Sequence, residues 1–500
     1  MSINSFRYAA VIIAILLLYF VLQKTEKQKY VVALANVLVV YLCSGISGVI
    51  ISLIIVTSTF FTGKSIDKSL KEKNTKATKG FLTLGVGVNL TILLYFKYFL
   101  FTAENINEYL NFGIKFMAPV GLAYFSLSLT HYLLDVYHKK YTSEKNYIDF
   151  LAFSLFFPSI VEGPFGFYKK LSPQLKVNHK FDWDRMVSGL QRILWGYFKK
   201  LVIADRIGIE VMGILGNEES AGFLLFMAMV FYSFQIYADF SGGIDVVMGI
   251  SEIMGIELYE NFRSPLISRN VTEYWARWHM SLGEWMEKVI YYPIVLNRKM
   301  LKMSKKIKHN YLSKAFSATV ASVIVFIVVG IWHGTGWNYV VYGLYQALFV
   351  SSAVLLKPSY ANIKGKLGIR EEDFGWHFFQ VLRTFVILVF GRYLIKSKDL
   401  SQAIELIRKT FSVWNPQVFF DGTLLEQGLD FRNFYLMLAM IVLLYVVDIC
   451  HNKGFRFRKT LMECNIIFRY AVYMVAIFMI IILGIYGKGY DASSFIYANF

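Results

Sequence analysis

The stretch Ala318-Thr-Val-Ala-Ser-Val-Ile-Val-Phe-Ile-Val-Val-Gly-Ile-Trp-His333, continuing into Gly334-Thr-Gly-Trp-Asn338, decides the fold. It holds no Lys, Arg, Asp or Glu, and an apolar run of this kind reads as a membrane span over 318–334. Yet the run ends on an ionisable side chain. A charge at membrane depth costs about 2.5–3.5 kcal/mol on insertion scales, and a neutral imidazole costs less. Two readings of His333 are open. It is a structural imidazole bonded to a carbonyl, or a general base whose pKa near neutrality suits proton abstraction. The glycines beside it, Gly330, Gly334 and Gly336, permit close backbone approach.

The rest of the chain has the same character. Of 500 residues, 56% are hydrophobic and 17% charged, with mean hydropathy +0.48; a soluble domain carries about 25% charged residues. The expected fold is all-α and polytopic, with about 11–13 transmembrane or re-entrant helices. Candidate spans are 8–23, 30–43, 45–62, 80–101, 117–137, 147–161, 318–334, 337–357, 376–394, 433–450 and 466–486, with 186–215 and 222–256 harder to divide. The N-terminal run is followed by Lys24, Lys27 and Lys29 rather than by small residues, which favours a retained first span over a cleaved leader.

The net charge of +18 sits between the apolar runs. The positive-inside rule explains it better than a nucleic-acid partner, and none is expected. Segments 64–79, 298–308 and 452–459 are basic and should be cytoplasmic, whereas 101–112 has Glu104 and Glu108 without Lys or Arg and should lie outside. The long connection 395–432 should also lie outside the cytoplasm. Within it Leu400, Ala403, Ile404, Ile407 and Phe411 recur at helical spacing and suggest an interfacial helix. Cys43, Cys450 and Cys464 form no CxxC, so no disulfide framework or zinc site is legible.

Three further segments could carry chemistry. In Thr272-Glu-Tyr-Trp-Ala-Arg-Trp-His-Met-Ser-Leu-Gly-Glu-Trp285 a helix would put Trp275, Trp278, His279, Leu282 and Met286 on one face. That face is an interfacial aromatic belt or the wall of a reaction chamber, and spacing does not choose between them. In Gln235-Ile-Tyr-Ala-Asp-Phe-Ser-Gly-Gly-Ile-Asp245, neither Asp239 nor Asp245 can face lipid. Each should be paired, with Arg269 or Arg277 as partners, and structural ion pairing is the favoured reading. His131, Asp135 and His138 share a helical face, but without further ligands nearby no metal is expected.

Taken in order, these stretches resemble the membrane-bound O-acyltransferase family, in its bacterial alginate-O-acetylation-like branch. The resemblance rests on Leu94-Tyr-Phe-Lys-Tyr98, Pro119-Val-Gly-Leu122, Tyr132-Leu-Leu-Asp-Val-Tyr137, Phe157-Pro158, Gly163-Pro164 and Lys199-Lys-Leu-Val-Ile-Ala-Asp-Arg206. It extends through Ala238-Asp-Phe-Ser-Gly242, Glu260-Asn-Phe262, Trp275-Ala-Arg-Trp-His-Met-Ser-Leu282 and Trp332-His-Gly334, with an echo in Phe495-Ile-Tyr-Ala-Asn-Phe500. The core motifs span 86–347. The chain differs from the branch at Glu287-Lys288, Val295-Leu296 and Gly243, positions that bear on donor and polymer rather than on reaction class.

The resemblance implies one membrane domain over 1–500 with helices around a central funnel, in the bacterial cytoplasmic membrane. It implies transfer of an acyl group, acetyl first, to a cell-envelope polysaccharide. His333 matches the family's principal active-site histidine, and His279 its second intramembrane polar position. No tightly bound cofactor is implied. The donor is a cytoplasmic thioester, acetyl-CoA or an acyl carrier protein, and the outer partner is an SGNH-type acyltransferase or esterase-like protein. Trp275, Arg277, Trp278, Trp332, Asn338 and Asp239 are expected along the donor channel. His279, Asn338 or a backbone N–H would donate to the developing oxyanion. D-alanyl transfer to teichoic acid is the alternative within the family, and a transporter or flippase using the same residues as a relay is the rival class.

Overall fold

The computed structural model describes residues 5–99 and 118–486; the acidic 101–112 segment and the closing Phe495–Phe500 motif lie outside them. Among the described residues there are helices and an isolated bridge between Phe262 and Trp278, but no strand. Eight helices among the described residues are long and apolar enough to cross a membrane, and Arg7–Val21 and Tyr147–Ile160 are shorter apolar segments. Contacts divide the chain into two compact units.

The first unit comprises the residues up to Gly196 together with Gly243–Tyr259. It begins with α1 (Phe6–Val21) and α2 (Gln28–Lys71). A straight helix of 44 residues would be about 66 Å long, twice the hydrocarbon core. Gly45 breaks it, at φ 64° and ψ −169°, a conformation that glycine adopts without steric cost. The two expected spans 30–43 and 45–62 are therefore the two halves of α2. Next come α3 (Thr75–Leu94), with a π-helical turn at Tyr95–Phe99, and α4 (Leu122–Tyr137).

The expected span 147–161 is corrected to two short helices, α5 (Tyr147–Ser154) and α6 (Phe157–Ile160). Buried Asn36 of α2 makes the break tolerable. Its Nδ2 donates to the carbonyls of Leu151 and Ala152, each at 3.0 Å, and its Oδ1 accepts from the Phe157 N–H at 2.8 Å. Backbone groups that a continuous helix would pair internally are thus satisfied by one side chain. The unit continues through α7 (Tyr168–Leu175) to α8 (Trp183–Tyr197).

The second unit comprises Tyr197–Gly242 and the described residues from Glu260 onward. The helix entering it passes through a π-helical segment, Phe198–Ala204, into α9 (Asp205–Gly216). Then α10 (Phe223–Ile253) runs 31 residues, the part to Gly242 belonging here. Two seven-residue helices follow, α11 (Val271–Arg277) and α12 (Met280–Met286). After α13 (Tyr292–Val295) and the basic α14 (Arg298–Lys305) come α15 (Asn310–His333) and α16 (Trp337–Leu355).

Helices α15 and α16 form a tight hairpin. A Cβ on Gly330 would fall 2.3 Å from the Tyr339 carbonyl oxygen, and one on Gly343 would fall 2.2 Å from that of Phe326. Small residues are what let membrane helices approach this closely. The chain ends through α17 (Lys357–Lys366), α18 (Phe374–Lys396), α19 (Leu400–Ser412), α20 (Phe431–Asn452), α21 (Phe457–Glu463) and α22 (Ile466–Leu483). The helix expected at 400–411 is α19.

Candidate active site

His333 is the last residue of α15, so the hairpin turn sets its position. It is 5% exposed, and its ring stands edge-on against Tyr342 of α16, with centroids 5.8 Å apart. Asn338 is the second residue of α16 and is fully buried. Its Nδ2 donates to the carbonyls of Leu394 at 2.9 Å and Ser397 at 3.0 Å, where α18 ends. The expectation that Asn338 donates to an oxyanion is corrected by this geometry. Both amide hydrogens already anchor the hairpin, so its role here is to hold α16 to α18.

His279 is held differently. The single helical face expected for Trp275, Trp278, His279, Leu282 and Met286 is corrected, because the helix breaks in the middle. Asn270 caps α11 by accepting from the Glu273 N–H at 2.8 Å, α11 stops at Arg277, and Trp278 is extended and bridged to Phe262. His279 then adopts φ 48° and ψ 51° before α12 starts. A left-handed conformation costs a non-glycine residue about 1–2 kcal/mol, and such strain persists only where the surroundings enforce it.

The enforcing contacts come from Asn261. Its carbonyl accepts from the Met280 N–H and its Oδ1 from the Ser281 N–H, both at 3.0 Å, while Oδ1 lies 3.4 Å from His279 Nδ1. Phe240 of α10 packs edge-on against the imidazole at 5.0 Å. His279, itself 2% exposed, lies within electrostatic reach of His333. The histidines of the two separate motifs are thus both buried in the second unit, within electrostatic reach of each other.

The other expected residues divide. Trp278, 3% exposed, stacks on Tyr274 at 5.5 Å and 19°. Trp332 is buried one position before His333. Trp275 donates through Nε1 to Gln346 at 3.1 Å and packs on Phe326. Arg277 is half-buried and tied to Glu273 at 2.6 Å and Asn452 at 2.9 Å, rather than to either histidine.

Asp239 is buried, but the expected Arg269 or Arg277 pairing is wrong. Its partner is Lys200, at 2.6 Å, which also meets Asp205 at 2.9 Å, while Lys199 donates to Ser241 at 2.8 Å. Asp245, in the first unit, pairs with Arg192 at 2.9 Å. Arg269 and Arg277 both bond Glu273. The π-helical segment delivers Lys199 and Lys200 to this interior, and π-bulges are frequent at functional sites. In the first unit Asp135 meets His131 at 3.5 Å and Lys140 at 2.6 Å, with His138 exposed.

Sequence reasoning missed Asn261 as the support of His279, and it missed Arg392. Arg392 of α18 is 2% exposed, donates through Nη2 to the Tyr274 hydroxyl at 2.9 Å, and lies over the Trp278 ring at 5.6 Å. The available signal was its place inside the apolar run 376–394. An ionisable residue at membrane depth points to function by default.

The chain is thus a multi-pass helical membrane protein with two buried histidines in its second unit. The family model described as "MBOAT, membrane-bound O-acyltransferase family" matches residues 135–387, half of the chain and both histidines, and the chain belongs to that family. It is 28% identical over 350 residues to a "Probable alginate O-acetylase" of Pseudomonas putida, covering 68% of this chain and 66% of that protein. It is 27% identical over 358 residues to a "Peptidoglycan O-acetyltransferase" of Helicobacter pylori, covering 65% and 64%. A "Teichoic acid D-alanyltransferase" of Bacillus subtilis is 32% identical over 206 residues, 40% of this chain and 50% of that one. The chain thus spans a little under two thirds of the length of the first two of these relatives.

Proposed function

We propose that this protein is an O-acyltransferase of the bacterial cytoplasmic membrane that moves an acyl group, acetyl first, from a cytoplasmic thioester to an envelope polysaccharide. The observation that supports the reading is the burial of His279 and His333 in the second unit, within electrostatic reach of each other. His333 takes the proton from an acceptor hydroxyl as its oxygen attacks the thioester carbonyl carbon. The tetrahedral intermediate collapses with loss of the C–S bond, and the imidazolium returns the proton to the leaving thiolate. Base catalysis of this kind contributes about 10²–10⁴-fold. His279, held rigid by Asn261, stabilises the developing oxyanion, and such prepositioned donors act most strongly where water is excluded.

Acetyl-CoA or an acyl carrier protein is the donor class, and an extracytoplasmic SGNH-type protein completes transfer to the polymer. The likeness to a teichoic acid D-alanyltransferase favours D-alanyl transfer as the second reading. Both are tested by base release of ester-linked acids from wall polysaccharide, teichoic acid and peptidoglycan of cells with and without the gene. Acetate lost on deletion supports the first reading and D-alanine lost supports the second. Unchanged esters in every fraction overturn both.

A further inference from the structure

The two histidine motifs are far apart in sequence, and Trp275 joins the α11–α12 corner to the α15–α16 hairpin through Gln346 and Phe326. Arg392 of α18 adds a second, charged link at the corner. On the His279 side its Nη2 donates to Tyr274, and its guanidinium lies over Trp278, the residue immediately before His279. Tyr274 and Trp278 stack nearly parallel, so the guanidinium contacts both members of the stack at the strained corner. On the His333 side lies Tyr342, which carries the His333 ring edge-on. Tyr342 packs closely on α18 beside Arg392: a Cβ on the neighbouring Gly391 would fall 3.3 Å from its ring.

We propose that Arg392 is a positioning residue that sets the His279–His333 register, acting through the Tyr274–Trp278 stack on one histidine and through Tyr342 on the other. The proposal rests on the acyltransferase reading above. Guanidinium is the group that fits. It is planar enough to lie on an indole while a fixed N–H bonds a phenol, and it keeps its charge when buried. Lysine offers the charge without the plane. Arg392 lies just beyond the 135–387 stretch that the family model matches.

The test uses cells lacking the gene and expressing the full-length chain as wild type, Arg392→Lys, Arg392→Met, Tyr274→Phe, the Arg392→Lys/Tyr274→Phe double variant, or His333→Ala. The rate of base-labile ester accumulation on envelope polymers is measured per unit of membrane-inserted protein. Arg392→Met is expected to lose about 10²-fold, the scale of an ångström-sized misplacement, and Arg392→Lys to recover about tenfold of that through its retained charge. Tyr274→Phe loses about threefold, and the double variant is no slower than Arg392→Lys alone, because both changes break one contact. Wild-type rates in both Arg392 variants, or losses that multiply in the double variant, overturn the proposal. If they occur while His333→Ala is inactive, the acyltransferase reading stands without it. Full activity in His333→Ala overturns the reading itself. Reduced rates explained wholly by less inserted protein make Arg392 merely structural and also refute the proposal.

Discussion

His333 and His279 are the same residue in two unlike settings. His333 ends a regular 24-residue helix and is placed by helix packing, with glycine contacts closing the hairpin and Asn338 pinning it to α18. His279 sits in a left-handed corner between two seven-residue helices and is placed by hydrogen bonds from one asparagine and by an aromatic stack. Packing spreads a constraint over many weak contacts, whereas the corner concentrates it in a few directional ones. The hairpin should therefore tolerate change that the corner does not.

The largest expected effect falls on the buried charges one residue from the Phe240–His279 contact. Lys200→Met removes the ammonium that Asp205 and Asp239 share and should cost about 3–5 kcal/mol, seen as loss of inserted protein and a lowered unfolding temperature in detergent. Adding Asp205→Asn and Asp239→Asn should restore much of it. No loss in the single variant would mean the triad contributes nothing to the fold.

Next comes the corner itself. Asn261→Ala removes the acceptor of the Ser281 N–H and should cost about 1–3 kcal/mol, with a fall in ester formation greater than the fall in protein. Asn338→Ala, the matching change at the hairpin, should cost similar stability but lower the rate per molecule less. Equal rate losses would erase the distinction between the two sites.

A smaller and sharper contrast uses backbone conformation. His279→Asn keeps a residue that tolerates positive φ, so protein level should hold while ester formation falls. His279→Val asks a β-branched residue to adopt φ 48° and should lower the amount of inserted protein as well. If both variants accumulate equally, the corner is not strained. The smallest effect is expected for Arg277→Gln, since a partly exposed pair with Glu273 is worth no more than about 1 kcal/mol; a larger drop in unfolding temperature would show a wider role.

These contrasts parallel what was legible in the sequence. Hydropathy located most of the spans and placed His333 at a helix end, because a regular helix reports its period locally. The α19 helix was legible for the same reason. The break between Ser154 and Phe157 was not, since the side chain that satisfies it, Asn36, lies over a hundred residues away. The His279 corner was misread as one continuous helix because the bridge to Phe262 and the Asn261 bonds are tertiary. Asp239 was recognised as needing a partner, but its partner Lys200 sits on a π-helical segment whose register helical periodicity does not report. Arg392 stood in plain view in an apolar run, yet nothing local named Tyr274 or Trp278 as its contacts.

The most direct test of the central claim is the ester content of envelope polymers in cells whose only copy of the gene carries His333→Ala, measured alongside the amount of that protein in the membrane. Loss of polymer-bound acid with undiminished inserted protein is the predicted result. Wild-type ester content would remove His333 from the chemistry and contradict the account.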